Sequence, residues 1–181
     1  MRLLLAASLV LSLAGCHRAQ ASVNPVVVHT AAGDIALTGR VVDRAGIIPD
    51  ADELRLTKRL EDPEKDTTDQ LVVVTLGGLN GGRIEDVGRA LGDGWGIGRA
   101  DVDNGVLLLV APNDRKVRIE VGLGLEGLLS DQRATVIIKD MLPAFRGNRP
   151  AQAIELGVGE ISSLLASDKQ RPRRKMQKEA A

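Results

Sequence analysis

Gln70–Leu76 (Gln-Leu-Val-Val-Val-Thr-Leu) and Val106–Val110 (Val-Leu-Leu-Leu-Val), which follows an Asn104-Gly105 turn, decide the fold. Both are unbroken apolar runs without the alternation of a half-solvated strand. They are too short for ordinary helices, and the first is rich in β-branched residues. This pattern predicts strands covered on both faces, as in a parallel or mixed sheet lying between helices. Pro112–Arg115 then forms a turn. After it Val117, Ile119 and Val121 alternate with Lys116, Arg118 and Glu120, the period of a strand with one solvated face. The second run and this strand therefore read as an antiparallel hairpin.

Working outward, Gly77–Gly82 is a loop and residues 83–92 a helix weakened by Gly88. Gly92, Gly94, Gly96 and Gly98 surround Trp95 in a second, mobile loop. Upstream, Val41–Asp43 is a short apolar run closed by a carboxylate, and Val26–Val28 offers a short strand. Pro49-Asp50 starts a helix with Leu54, Leu56 and Leu60 on its buried side, and Pro63 should kink or end it near Asp62. Downstream come a helix over 130–142, opened by Ser130-Asp131, and one over 150–166 with Ile154, Val158, Ile161 and Leu165 on one face. The order β-α-β-α-β-β-α-α predicts an α/β domain, with a mixed central sheet containing one antiparallel hairpin and covered by helices.

The N-terminus carries a different signal. Arg2 precedes the apolar run Leu3–Leu13, too short to span a bilayer, and Leu13-Ala14-Gly15-Cys16 follows. This resembles a lipoprotein signal: cleavage before Cys16 would leave its thiol as the lipidated first residue. Multiple acyl chains on one Cys anchor stably where a single chain is marginal. His17 stands where Asp would mark inner-membrane retention, which mildly favours the outer membrane. The expected organisation is signal peptide 1–15, lipidated Cys16 and tether 16–37, domain 38–167 and basic tail 168–181, facing the periplasm or exterior.

Composition narrows the function. Cys16 is the only cysteine, so no intramolecular disulfide can form. The aromatic residues are Trp95 and Phe145 alone, so stacking platforms for single-stranded nucleic acid or sugars are missing and no nucleic-acid partner is expected. Residues 168–181 hold six Lys/Arg and two acids, a net +4, while residues 3–167 hold 17 Lys/Arg against 22 Asp/Glu, a net −5. Such a tail buries too little apolar surface to order itself, and it suits contact with anionic lipid or another polyanion.

Several fragments then align with one family: Val42-Asp43-x-Ala45-Gly46, Trp95-Gly96-Ile97-Gly98, Asp103–Leu108, Arg115–Gly122 continuing to Gly124-Leu125-Glu126-Gly127, and Asp131. Over roughly residues 38–165 the chain resembles the TPM domain. The resemblance implies an α/β/α sandwich with helices on both faces, divalent-cation binding, an extracytoplasmic setting and, in some members, acid phosphatase activity. The sequence departs in having Leu91-Gly92 and Leu123 where aromatic residues are common, Pro63 within its first helix, and an N-terminal anchor.

Gly122-x-Gly124-x-x-Gly127 matches a dinucleotide fingerprint, but only helices follow it, without the second parallel strand and acid that a nucleotide-binding unit needs. It reads as a turn in which backbones pack closely. Asp101-x-Asp103-Asn104-Gly105 is not an EF-hand, since its glycine comes one residue early and Pro112 stands where Glu would close the loop. If the strand ends converge, Asp43, Asp103, Asn104 and Glu120 offer the hard oxygens that Ca²⁺ or Mg²⁺ prefers. Arg115, Lys116 and Arg118 are then the phosphate or partner contacts, and Asp131 either joins the set or caps its helix. No Ser-His-Asp set, Walker loop or zinc spacing occurs, so any hydrolysis would need metal-activated water. The expected function is a lipid-anchored, divalent-cation-binding accessory or interaction module with an envelope partner. The alternatives are a metal-assisted acid phosphatase and a purely structural envelope component.

Overall fold

The computed structural model describes residues 25–167, apart from the side chains at 62, 63, 65 and 66. The segment expected to be a signal peptide, Cys16 and the basic tail lie outside those residues. Ten elements follow in order: β1 (Val27–Thr30), β2 (Gly33–Ala36), β3 (Val41–Asp43), α1 (Asp50–Thr67), β4 (Gln70–Thr75), α2 (Ile84–Trp95), β5 (Gly105–Ala111), β6 (Lys116–Val121), α3 (Asp131–Arg146) and α4 (Pro150–Ser167).

The central sheet runs β3-β4-β5-β6, parallel across the first three strands and antiparallel between β5 and β6. The apolar runs explain its middle position: all seven residues of β5 and five of the six in β4 are buried. Successive side chains point to opposite faces. Leu71, Val73, Leu108 and Ile119 therefore join a core under α1, α3 and α4. Val72, Val74, Leu107 and Leu109 join another under α2. The result is the expected α/β/α sandwich, with the β1–β2 hairpin sharing the α2 layer. Both crossovers step the same way across the sheet, yet α1 and α2 lie on opposite faces, so the two βαβ units have opposite hands.

Four local readings change. Leu54 is 73% exposed because it lies two residues from buried Leu56, about 200° around the helix. Proline at 63 does not end α1, which continues to Thr67. A proline removes one intrahelical bond, and here buried Leu60 and the Arg40–Glu64 ion pair hold the segment on either side. Trp95 is not in a loop: it closes α2 and is 7% exposed, its apolar bulk completing that core layer. The tether reading ends earlier than residue 37, since 27–36 form the hairpin and Ile35 is buried with α2. Ser130 occupies the N-cap position of α3 without a side-chain bond, and Asp131 lies in the first turn behind it.

Two edges of the sheet matter below. The carboxyl edge holds the ends of β3, β4 and β5 and the turn into β6; the amino edge holds the starts of β4 and β5 and the end of β6.

Candidate functional site

Three glycine-bearing segments pack backbone on backbone at the amino edge. A Cβ on Gly98 would lie 2.5 Å from the Gly105 nitrogen, and one on Gly105 2.2 Å from the Ile97 carbonyl oxygen. One on Gly122 would lie 2.3 Å from the Asp103 carbonyl oxygen, and one on Gly124 2.0 Å from that of Val102. Side chains cannot be accommodated at such distances without backbone movement, which explains Gly98 after α2, Gly105 at the turn into β5, and Gly122 and Gly124 after β6. The glycines after β6 thus serve close packing, as expected, and not a pyrophosphate.

Asn104 clips this assembly to the rest of the domain. It is 1% exposed. Its carbonyl oxygen accepts the Arg99 N–H at 2.9 Å, and its amide donates to the Thr68 carbonyl at 2.9 Å and to Asp69 at 2.8 Å. Gly98 N–H donates to Gln70 Oε1 at 2.8 Å, closing the same junction. With its amide committed to three backbone and side-chain partners, Asn104 is a structural residue and not a metal ligand.

Between these loops, α2 and β6 lies a cleft of about 310 Å³. Its charged lining is Asp93, Asp103, Glu120 and Glu126 against Arg89, and Leu123 contributes an apolar wall. Asp103 is held with φ 52° and accepts the Leu123 N–H at 2.9 Å. Glu120 sits 2.9 Å from Arg118. Asp103 and Glu120 were named by the sequence; Asp93, Glu126 and Arg89 were not. Glu126 lies inside the Gly122–Gly127 motif, whereas Asp93 and Arg89 become visible only once α2 is known to continue to Trp95.

Asp43 does not join them. It pairs in register with Thr75, and Thr75 with Val110, whereas the cleft surrounds Gly105. Five strand residues separate the two levels, roughly 16 Å at the usual rise. Its carboxylate instead accepts the N–H of Ile48 at 2.8 Å and of Ile47 at 3.3 Å, together with the Thr75 hydroxyl, and so fixes the entry to α1. Asp43→Ala should therefore lower folding stability by about 1–3 kcal/mol in urea denaturation. An unchanged midpoint would contradict that bracing role.

Arg115 and Lys116 also lie at the carboxyl edge, in and after the β5–β6 turn, while Arg118 is paired with Glu120. The sequence-named cations and carboxylates thus divide between the two edges. Among the described residues no three His, Cys, Asp or Glu side chains group closely enough to hold one metal ion. The set Asp43, Asp103, Asn104 and Glu120 does not fit a shared inner-sphere cation.

A wider, shallow groove of about 840 Å³ runs over α1, α3 and α4 past Arg59, Val136, Leu156 and Glu160. Partial burial, with a smaller push from the Asp140 charge, raises the Glu160 carboxyl above its ordinary range. A raised folded-state value favours the protonated form, so its contribution is fully present at low pH and lost as pH rises through that value. Glu160→Gln should accordingly raise the melting temperature at neutral pH and leave it unchanged in acid. An equal gain at both pH values would show that the charge is not responsible.

An α/β/α sandwich with glycine-packed loops flanking an acidic cleft defines this chain as a small α/β domain with one central mixed sheet and an added β-hairpin. The chain belongs to the TPM domain family, whose profile matches residues 41–164. It is similar to the solution structure of the N-terminal domain of a protein from P. gingivalis, at 32% identity and a TM-score of 0.69, over 76% of this chain and 88% of that one. It shares the fold of the N-terminal domain of the cg2496 protein from Corynebacterium glutamicum (17% identity, TM-score 0.57, 80% and 90% covered). The same holds for the BA42 protein from the psychrophilic bacterium Bizionia argentinensis (19%, 0.58, 71% and 86%). No curated protein matches the chain. No described helix is long and apolar enough to cross a membrane.

Proposed function

We propose that this chain is a lipid-anchored TPM domain of the cell envelope that works as a binding module, with the Asp93–Asp103–Glu120–Glu126 cleft as its cation-attracting site. The observation that carries this reading is the cleft itself: four acidic residues line one concavity with Arg89 as the opposing charge. Arg118 is already engaged with Glu120. Because no three of these groups are close enough to share an ion, Ca²⁺ or Mg²⁺ would be held there largely through its own water shell, and weakly. The separation of Arg115 and Lys116 from these carboxylates favours binding over phosphoester hydrolysis. Hydrolysis needs phosphate-binding cations and metal-binding acids around one reacting atom. The lipobox-like Leu13–Cys16 segment supports the anchor and the envelope setting.

Calorimetric titration of Ca²⁺ and Mg²⁺ tests the cleft. Saturable binding should weaken in Asp93→Asn and Glu126→Gln and persist in Asp43→Asn, the remote carboxylate. Binding lost in Asp43→Asn and kept in the cleft variants would move the site to the other edge. Lack of any saturation at millimolar metal would reject the cation and leave a module for a protein partner.

A further inference from the structure

Both ends of the described chain leave the domain at the amino edge. At the first end, the Leu37 N–H donates to the Val26 carbonyl across the open end of the β1–β2 hairpin. The hairpin's turn lies at the opposite end, where Asn80 donates to the Ala31 carbonyl at 3.3 Å in the β4–α2 loop. Val28 packs against Gly94, one residue before the end of α2. The chain before Val26 therefore emerges beside the loops that follow α2. At the other end, α4 runs in the same direction as α1: Arg55 reaches Glu155 at 3.2 Å, and Arg59 lies against Gly159. Ser167 consequently comes level with the end of α1, where Asn104 holds the Thr68 carbonyl.

The side chains at this edge are unlike those at the other. Val26 (50%), Val27 (47%) and Leu123 (59%) are exposed here; among the described residues the other exposed large apolar side chains, Leu54, Val136 and Leu156, lie on α1, α3 and α4. The carboxyl edge presents Arg115 and Lys116, both exposed. The segments beyond the two exits are also suited to a lipid surface by composition. One contains Cys16 nine residues before Pro25, and the other carries a net +4 within 14 residues. The amino edge itself bears Asp93, Asp101, Asp103 and Glu126, which repel anionic headgroups, so attraction has to come from residues 168–181.

We propose that the amino edge is the membrane-facing surface of the domain, with residues 168–181 on anionic lipid headgroups and Val26, Val27 and Leu123 turned toward the bilayer interface. The carboxyl edge, with Arg115 and Lys116, then faces away from the membrane and is the side open to partners. This rests on the lipid-anchor reading above, and the two are separable by experiment.

The full-length protein, expressed and processed in bacteria, is reconstituted on vesicles containing phosphatidylglycerol and brominated lipid. A bimane label is placed at Val26→Cys, Leu123→Cys or Arg115→Cys, with the parent protein as the blank for Cys16. Quenching at Val26→Cys and Leu123→Cys should exceed that at Arg115→Cys several-fold. Changing Lys169, Arg171, Arg173 and Arg174 to Gln should reduce the difference on these vesicles and leave quenching unaltered on purely zwitterionic ones. Equal quenching at all three positions, stronger quenching at Arg115→Cys, or no quenching on vesicle-bound protein would overturn the orientation. The anchor is read separately, by mass spectrometry of the processed, unlabelled protein. Acyl groups on an N-terminal Cys16 support the anchor whichever edge is quenched; a Cys16 without them rejects it while the labels still report the facing edge.

Discussion

Asn104→Ala is expected to lower the folding stability by about 3 kcal/mol, one of the two largest effects foreseen for a single residue here. The substitution removes a side chain only 1% exposed and leaves three groups without their partner: the Arg99 N–H, the Thr68 carbonyl and the Asp69 carboxylate. Polar groups left unmet in a partly buried junction cost free energy, and a charged one costs most. Asn104→Asp has nearly the same shape and sharpens the test. It sets a second carboxylate against Asp69, which the amide now contacts at 2.8 Å. It should be at least as damaging at neutral pH and recover partly in acid, where protonation of either group relieves the repulsion. Urea denaturation at two pH values checks both. An Asn104→Ala protein within 0.5 kcal/mol of the parent, about the ordinary scatter of harmless surface changes, would show that the clip is dispensable.

Gly105→Ala should be comparably severe, at about 3 kcal/mol. Its new methyl would meet the Ile97 carbonyl oxygen at 2.2 Å and carbon at 2.6 Å, both backbone atoms that cannot rotate away as a side chain would. Separating the segments would also disturb the loops that wall the cleft, so the cation uptake proposed for it should fall with stability. Gly92→Ala is the natural control. Gly92 lies in α2 with nothing within 4 Å of a Cβ, so alanine there should be neutral or stabilising by about 0.5–1 kcal/mol. Matching losses in the two proteins would mean that backbone crowding is not why Gly105 is glycine.

The sheet was readable in advance because burial on both faces leaves a direct imprint: β4 and β5 are runs with nothing polar to interrupt them. The buried stripe of α4 was equally plain, since Ile154, Val158, Ile161 and Leu165 keep helical spacing and are all at most 3% exposed. Misreadings arose where packing overrides local preference. Gly92 and Gly94 suggested a loop, yet Trp95 gains more by completing the core than the helix loses to its glycines. Proline at 63 suggested a stop, yet the turns on either side are held by Leu60 and Glu64.

The site was half legible. Asp103 and Glu120 stood out and do share a cleft. Asp43 stood out equally as a carboxylate at a strand end, but which end of the sheet a residue occupies depends on strand direction. Parallel β3 places Asp43 level with Thr75, away from the start of β5. Motif residues gather at both edges, and their spacing in the chain does not say which edge each serves.

The lateral contact between α1 and α4 has a consequence for the growing chain. Arg55 and Glu155 meet across 100 residues of sequence, although the strands of the central sheet lie side by side in the order they are made. The sheet can therefore assemble as it emerges, but the side of α1 that meets α4 stays uncovered until α4 is complete. At ordinary ribosomal speed that interval is roughly 5–20 s. A nascent chain halted before residue 150 should leave the α4-facing side of α1, around Arg55 and Arg59, uncovered and open to a chaperone until α4 arrives.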